Sequence, residues 1–302
     1  EFERIEASWR EVDANMDRAI EYLPAGLRTE AREAISSIGH PERQKIDGKR
    51  APRELSPRGA LRISDGGLRM TAGELIYQTF SAEDFRRFHR TYLTSSSDWA
   101  LRDFGKPGLE NSGARSASLG AVRQACTVRK KNGRKEIACR LAFEKDSLVD
   151  ARFYPEEMYV NYSIDPSGGK IEMAVTLFRK PANRLPEAYW LGFLPEEVSE
   201  MFVEKTGRPV DVLDVVENGN RRMHGIDRYV DILTTGGRIH ITSEDAPLIS
   251  VGGRNLLNYS TRQPDLGEGL YFCLFNNIWG TNFTMWFEGS ITYRFTIELD
   301  PA

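Results

Sequence analysis

The sequence predicts a mainly β fold: a large antiparallel β-sandwich preceded by a short helical hairpin. From about residue 60 onward, apolar residues alternate with polar ones, which is the period of strands with one buried face. Successive strand patterns also follow one another without regular intervening helices. That succession favours antiparallel sheets packed face to face over a doubly wound parallel sheet.

The N-terminal part of the chain has a helical period instead. Apolar residues recur at steps of three and four over residues 5–23 and again over 29–38, with Pro24 between the two stretches. This spacing predicts two helices joined by a short turn. We therefore divide the chain into a helical hairpin with its linker, residues 1–58, and a β-sandwich domain, residues 59–302.

Turn residues connect the predicted strands. Pro166-Ser167-Gly168-Gly169 predicts a hairpin between two of them, and Asn132-Gly133, inside a basic run, predicts a solvated hairpin tip. Two helices are predicted within this region, one from Ser81 to Tyr92 with Ser81 as N-cap and one over residues 195–205. The predicted strands cover residues 137–143, 158–164, 171–177, 271–275 and 291–299.

Composition excludes some classes of partner. The 302 residues carry a net charge of −3, with 40% hydrophobic and 28% charged residues, so we expect no attraction to nucleic acid or anionic lipid. No run approaches the roughly 20 apolar residues that span a bilayer. We expect a soluble protein with no membrane partner and favour the cytoplasm, although the compartment stays open. The chain begins at Glu1 without a targeting segment and is interpreted as internal to a longer protein.

Cysteine and histidine usage predicts no metal site or cofactor within this chain. The three cysteines are scattered and form no CxxC pair, so they are expected to be small buried hydrophobic residues. The four histidines stand singly, and no spacing presents two ligands on one face.

The strongest candidate for binding is the run from Leu270 to Trp286, where a strand gives way to amides, a glycine and two indoles. Amides donate and accept hydrogen bonds and indoles offer flat apolar faces, so such a loop could hold a sugar. The alternative is structural, with amides satisfying loop backbone groups and indoles in the core. The candidate residues are Asn277, Trp279, Asn282 and Trp286.

Two further runs contain candidate residues. His224 lies beside arginines and Asp227 near a turn, so its imidazole could orient a polar ligand, although a structural role is the alternative. Arg184 and Glu187 stand three residues apart beside aromatic residues. Arg184 is a binding candidate, and an Arg184–Glu187 pair bracing a loop is the alternative.

Several motifs together resemble one known family. The chain looks like domain-of-unknown-function family 5054, whose proteins are similar to glycoside hydrolase family 38 α-mannosidases. The resemblance spans roughly residues 60–299. The motifs are Phe104-Gly105-Lys106-Pro107-Gly108, the Lys180 to Ala188 run, the Asn220 to Gly225 run and the Asn276 to Phe283 run.

The resemblance implies an N-terminal β/α-barrel catalytic domain, a helical bundle that ends in residues 1–58, and a mutarotase-like supersandwich. The nucleophile and most zinc ligands of such enzymes lie on the barrel, so it implies zinc in that missing domain and no catalytic residue here. The loop from Asn277 to Asn282 would then face the barrel and help to line a carbohydrate pocket. No pair of carboxylates in this chain suggests itself for glycoside hydrolysis.

Three functional hypotheses follow. The first is a C-terminal accessory region of an α-mannosidase-like glycoside hydrolase, with the barrel and a carbohydrate substrate as partners. The second is a lectin-like module that binds glycans through Trp279 and Trp286 without hydrolysing them. The third is a structural sandwich that stabilises a barrel without activity.

Overall fold

The structure, a computed structural model, describes residues 2–37, 41–280 and 285–302. The chain divides into two compact units, Glu1–Pro41 and Glu42–Ala302. The first contains α1 (Phe2–Glu21) and α2 (Ala25–Ser37), which confirms the two predicted helices. Their turn is closed by Arg28, which donates to the Leu23 carbonyl at 2.8 Å and pairs with Glu21 at 3.2 Å.

The second unit begins earlier than the sequence pattern predicts. Residues 42–58, predicted to be a linker, belong to it. Ile46 packs beside Tyr159 and Phe178, and Leu55 lies in the main core of the sandwich. Two buried apolar side chains therefore attach this proline-rich segment to the sheets.

Antiparallel strands and two α-helices make up most of the second unit. The helices are α3 (Ala82–Tyr92) and α4 (Asp98–Asp103). The strands, in chain order, are β1 (Leu61–Asp65), β2 (Leu68–Thr79), β3 (Ala117–Gly120), β4 (Val122–Lys131), β5 (Arg134–Ala142), β6 (Glu157–Ile164), β7 (Lys170–Lys180), β8 (Glu187–Pro195), β9 (Val198–Lys205), β10 (Arg208–Asp211), β11 (Met223–Gly225), β12 (Tyr229–Thr234), β13 (Gly237–Ser243), β14 (Leu248–Val251), β15 (Leu270–Asn276) and β16 (Gly289–Pro301).

Across the described parts of this unit the strands form two sheets. The smaller, seven-stranded sheet has the order β1-β2-β8-β15-β14-β11, with β3 also paired to β2. The larger, nine-stranded sheet has the order β10-β9-β12-β13-β16-β7-β6-β5-β4. Apolar residues from both sheets share one buried core between them. This arrangement confirms the predicted antiparallel β-sandwich.

Local sequence signals account for several elements. Asn132 and Gly133 both have positive φ, 51° and 80°, as the tight turn between β4 and β5 requires. Ser81 caps α3 in a reciprocal capping box with Asp84, as its position in the sequence predicts. Strands β5, β6, β7, β15 and β16 confirm the five predicted strand segments.

The helix predicted over residues 195–205 is wrong. Residues Val198–Lys205 form β9, which pairs with β10 and β12. The acidic pair Glu196-Glu197 after a proline resembles a helix start, but here it forms the β8–β9 turn, with Glu197 at a φ of 54°. Met201 and Val203 are buried two positions apart, which is the strand period.

The central strand β8 of the smaller sheet is buried on both faces. Tyr189 and Leu191 of β8 point into the core between the sheets, whereas Trp190 joins a second apolar cluster on the outer face. The Trp190 indole Nε1 donates to Gln78 Oε1 at 2.9 Å. Helix α3 contributes Phe85 and Phe88 to this outer cluster, so it covers part of the sheet. The outer cluster supports the loops described below.

The cysteine prediction is confirmed, because all three side chains are buried and free. Cys126 and Cys139 lie directly opposite each other on β4 and β5. Among the helices of the described residues, none is sufficiently long and apolar to cross a lipid bilayer.

Candidate functional site

Loops from three parts of the chain meet where β7 and β15 end and β8 begins. We call the described residues of these loops, 104–108, 181–186, 277–280 and 285–288, the loop rim. The Lys106 ammonium joins two of the loops, because Nζ donates to the carbonyls of Arg184 at 2.7 Å and Met285 at 3.4 Å. The Gly280 amide donates to the Asp103 carbonyl at 3.2 Å.

A buried ion pair lies beneath the loop rim. Lys180, the last residue of β7, and Glu187, the first residue of β8, have fully buried side chains, and Nζ lies 2.5 Å from Oε1. The other carboxylate oxygen accepts hydrogen bonds from the Tyr77 hydroxyl at 2.7 Å and from Asn183 Nδ2 at 2.8 Å. Such a pair persists in a dry interior only when both charges are compensated in this way.

The surroundings of the pair keep its hydrogen bonds in place. Burial raises the pKa of the Tyr77 hydroxyl far above its ordinary value, and the Glu187 charge raises it further, so Tyr77 stays a donor. Lys180 Nζ also lies 5.1 Å from the centre of the Phe275 ring and donates to the Pro181 carbonyl at 3.0 Å. The ammonium therefore has several partners besides the carboxylate.

Asn277 fastens two of the loops to this pair. Its Oδ1 accepts from the Glu187 amide at 2.8 Å, and its Nδ2 donates to the carbonyls of Asn183 at 2.8 Å and Leu185 at 3.0 Å. A third acceptor is the Met285 carbonyl at 3.3 Å. The side chain is buried, so its hydrogen-bonding groups are used within the protein. The geometry gives Asn277 a positioning role, and direct ligand contact stays a prediction.

The rim brings together most of the residues that the sequence singles out. Arg184 is exposed, with its backbone held by Lys106. Trp279 is partly exposed and packs against Phe88 and Phe104, with ring centres 5.5 and 5.9 Å apart. Trp286 is also partly exposed. Asn282 lies outside the described residues.

The alternative of an Arg184–Glu187 pair is wrong. Glu187 points inward to Lys180, seven positions earlier in the chain, whereas the Arg184 side chain is in solvent. The 181–186 loop is braced by Lys180, which the sequence spacing does not indicate as the partner of Glu187. Arg184 consequently keeps its guanidinium at the surface.

His224 lies away from the rim, on β11 at the far edge of the smaller sheet. Its side chain is buried, and Nε2 is 3.4 Å from the Arg221 carbonyl. Burial lowers the pKa of this imidazole to about 4, and the nearby Lys205 charge contributes to the decrease. At neutral pH His224 is an uncharged buried group, which suits a structural role.

A cavity of about 310 Å³ opens beside the rim, between α3, α4 and the 104–110 loop. Burial lowers the pKa of Lys106, one of its lining residues, to about 8, against the opposing effect of Glu187. His89 Nε2 lies 2.7 Å from the Phe104 carbonyl, so that nitrogen carries the proton. Sequence reasoning named neither residue as a candidate. Lys106 stood only within the Phe104 to Gly108 motif of the resemblance, and His89 only within the helix predicted from Ser81 to Tyr92.

No metal centre is present in the part of the chain that the structure describes, since no three His, Cys, Asp or Glu side chains group closely enough to hold an ion.

Gly280 is required by the contact between the rim and α4. A Cβ on this residue would lie 2.4 Å from the carbonyl oxygens of both Arg102 and Gly105, closer than any real contact. We expect Gly280→Ala to lower the free energy of unfolding by about 1–3 kcal/mol, the usual cost of overpacking. Urea unfolding measures it, with Gly225→Ala as control, since nothing lies within 4 Å there. Equal effects of the two substitutions would contradict this contact.

Comparison with known proteins gives one family and several distant structures. The family model described as "Domain of unknown function (DUF5054)" matches residues 61–172. An α-mannosidase from Enterococcus faecalis V583 is 11% identical with a TM-score of 0.47, and the match covers 82% of this chain and 28% of that one. This chain thus spans under a third of the mannosidase. No curated protein sequence matches it.

Two further structures are more distant. One is a candidate aldose 1-epimerase from Escherichia coli K12, 8% identical with a TM-score of 0.33, which is matched over 59% of this chain and 69% of its own. The other is the Slr1438 protein from Synechocystis sp. PCC 6803, 10% identical with a TM-score of 0.33, over 83% and 98%.

Proposed function

We propose that this chain is the C-terminal accessory region of an α-mannosidase-like glycoside hydrolase, and that its loop rim helps to line a carbohydrate pocket. An N-terminal β/α-barrel of a longer parent protein would complete that pocket and would supply the catalytic residues and zinc. The observation that supports this most is the loop rim itself. A fully buried ion pair anchors one of its loops, Asn277 and Lys106 join the others to it, and polar and aromatic groups remain at the surface.

The groups at the rim have the chemistry that a sugar requires. The Arg184 guanidinium offers several donors to hydroxyl oxygens, and the partly exposed faces of Trp279 and Trp286 suit the C–H face of a pyranose ring. Asn277 and Lys106 hold the loops that carry these groups. A rigid base with a few polar and aromatic groups above it is typical of ligand sites.

The parent protein provides the test. Expressed with its upstream coding sequence, it should hydrolyse aryl α-mannosides in a chelator-sensitive manner. Trp279→Ala should lower kcat/KM at least about tenfold, the loss of roughly 1.4 kcal/mol of binding to the transition state. The zinc content of this variant should equal that of the wild-type parent protein. Val128→Ala, at an exposed position on the edge strand β4, is the control and should leave kcat/KM unaltered.

Two results would count against this function. If the longer protein shows no chelator-sensitive turnover, it is not a zinc-dependent α-mannosidase. If Trp279→Ala leaves kcat/KM unchanged, the loop rim does not line the substrate pocket.

A lectin-like module without hydrolase activity is the second candidate, favoured by the partial exposure of both rim indoles. Titration of this chain alone with mannosides distinguishes the two. Binding below about 1 mM, roughly −4 kcal/mol, that disappears in Trp279→Ala supports the lectin. No binding by this chain alone supports a pocket that the barrel completes.

A further inference from the structure

A cavity of about 430 Å³ lies on the outer face of the smaller sheet and shares no lining residue with the loop rim. Its volume is within the range of small-molecule sites. Leu256, Leu257 and Phe80 give it apolar walls. The remaining lining residues are polar or small: Gln78, Thr79, Asp84, Arg87, Ser116, Ala117, Ser118, Arg254 and Asn258. We call it the Arg254 cavity.

Arg254 is the unusual group in this cavity. Its Nε is buried and has no hydrogen-bond partner among residues 2–37, 41–280 and 285–302, and within those ranges no carboxylate pairs with the guanidinium. The guanidinium carbon lies 5.5 Å from the centre of the Tyr271 ring, which holds the side chain in place. A partly buried guanidinium without an anion is costly, and an oxyanion is its usual partner.

The other charges of the cavity are already neutralised. Arg87 pairs with Asp84 at 2.9 Å, and the same carboxylate accepts from the Ser81 amide at 2.8 Å and from the Ser116 hydroxyl. The ionised groups that line the cavity are therefore two arginines and one aspartate. This leaves one positive charge, on Arg254, for a ligand.

The loop that carries Arg254 is firmly held. The Asn255 side chain is buried, and Nδ2 donates to Ser250 Oγ at 3.1 Å, an atom that also accepts from the Asn255 amide at 3.1 Å. Asn258 Nδ2 donates to Asn255 Oδ1 at 3.0 Å, which leaves Asn258 Oδ1 available. Gln78 also lines the cavity, and its Oε1 accepts from Trp190, so its amide N–H groups remain for a ligand.

We propose that the Arg254 cavity binds a small, hydroxyl-rich anion of about monosaccharide size, with its oxyanion on Arg254 and its hydroxyls on Gln78 and Asn258. A carboxylate, as in a hexuronic acid, and a phosphate, as in a hexose phosphate, share this oxyanion chemistry. The cavity volume, the unpaired guanidinium, the remaining N–H groups of Gln78 and the remaining carbonyl oxygen of Asn258 support the same ligand class. This site does not depend on the function proposed for the loop rim.

Calorimetric titration of the whole chain with glucuronate, glucose 6-phosphate and glucose tests the proposal. At least one of the two acids should bind with a Kd below about 1 mM, and glucose should bind much more weakly. Arg254→Gln should weaken binding of that acid at least about tenfold, the loss of a charge-assisted hydrogen bond. Arg262→Gln removes the same charge from an exposed position nearby and should change the Kd less than about twofold.

Each result of the titration either supports the proposed site or overturns it. Binding of both acids supports an oxyanion site, and binding of one identifies which oxyanion it takes. The proposal is overturned if neither acid binds, if glucose binds equally well, or if Arg254→Gln and Arg262→Gln have the same effect. Circular dichroism with thermal unfolding of each variant verifies that the fold is retained.

Discussion

Lys180→Met should lower the free energy of unfolding by about 3–5 kcal/mol, the largest effect that we expect from a single substitution here. The methionine keeps most of the side-chain volume but leaves Glu187 as a fully buried carboxylate without its cation. An uncompensated buried charge has a cost of about that size. Urea unfolding at neutral pH measures the loss.

A double-mutant cycle attributes this loss to the pair. Glu187→Gln should also destabilise strongly, whereas Lys180→Met with Glu187→Gln should be less destabilised than the two single losses together, because no buried charge remains. Lys170→Met is the matched control, since Lys170 and Glu298 form a half-exposed pair at 3.1 Å. It should cost at most about 1 kcal/mol. Similar losses for Lys170→Met and Lys180→Met would disprove the argument.

The second large effect concerns pH. His224 has a folded-state pKa of about 4 against an ordinary value of 6.5, because burial opposes its charge. Between these two values the unfolded chain binds a proton that the folded protein does not, so stability rises with pH in that window. The stabilisation is complete above pH 6.5 and is lost as the pH falls toward 4. It amounts to about 3 kcal/mol.

Unfolding measured at several values between pH 4 and 6.5 checks this effect. Carboxylates also titrate in this range, so the informative quantity is the difference between the wild-type chain and His224→Gln. The variant should lose about 3 kcal/mol less than the wild type between pH 6.5 and pH 4. Parallel stability curves for the two proteins would show that His224 does not carry the dependence.

Most of the fold could be predicted from local patterns, because each pattern has a local physical cause. Alternation marks strands with one buried face, and Asn132-Gly133 supplies the positive φ values of a tight turn. The prediction failed at β9, where Pro195-Glu196-Glu197 resembles a helix start. The residues that follow form a strand instead, because they pair with β10 and β12. The start of the second unit at residue 42 could not be predicted, because it depends on contacts that Ile46 and Leu55 make with residues far away in the sequence.

The candidate site was harder to predict. Residue types marked the amide-and-indole loop, but nothing near Asn277 in the sequence shows that its partner is the backbone of Glu187, ninety positions earlier. Lys180 and Glu187 resemble ordinary surface charges when taken singly. Their burial follows from the meeting of a strand from each sheet, which is a property of the tertiary structure.

The segment between β7 and β8 combines anchored ends with an open tip. Lys180 and Glu187 hold its ends in the interior, while Ala182 and Arg184 project into solvent. Substitutions at the two tip positions therefore need not disturb the sheets beneath. The tip can therefore accept different side chains at little cost to folding, whereas a change at either end of the segment would leave a buried charge unpaired.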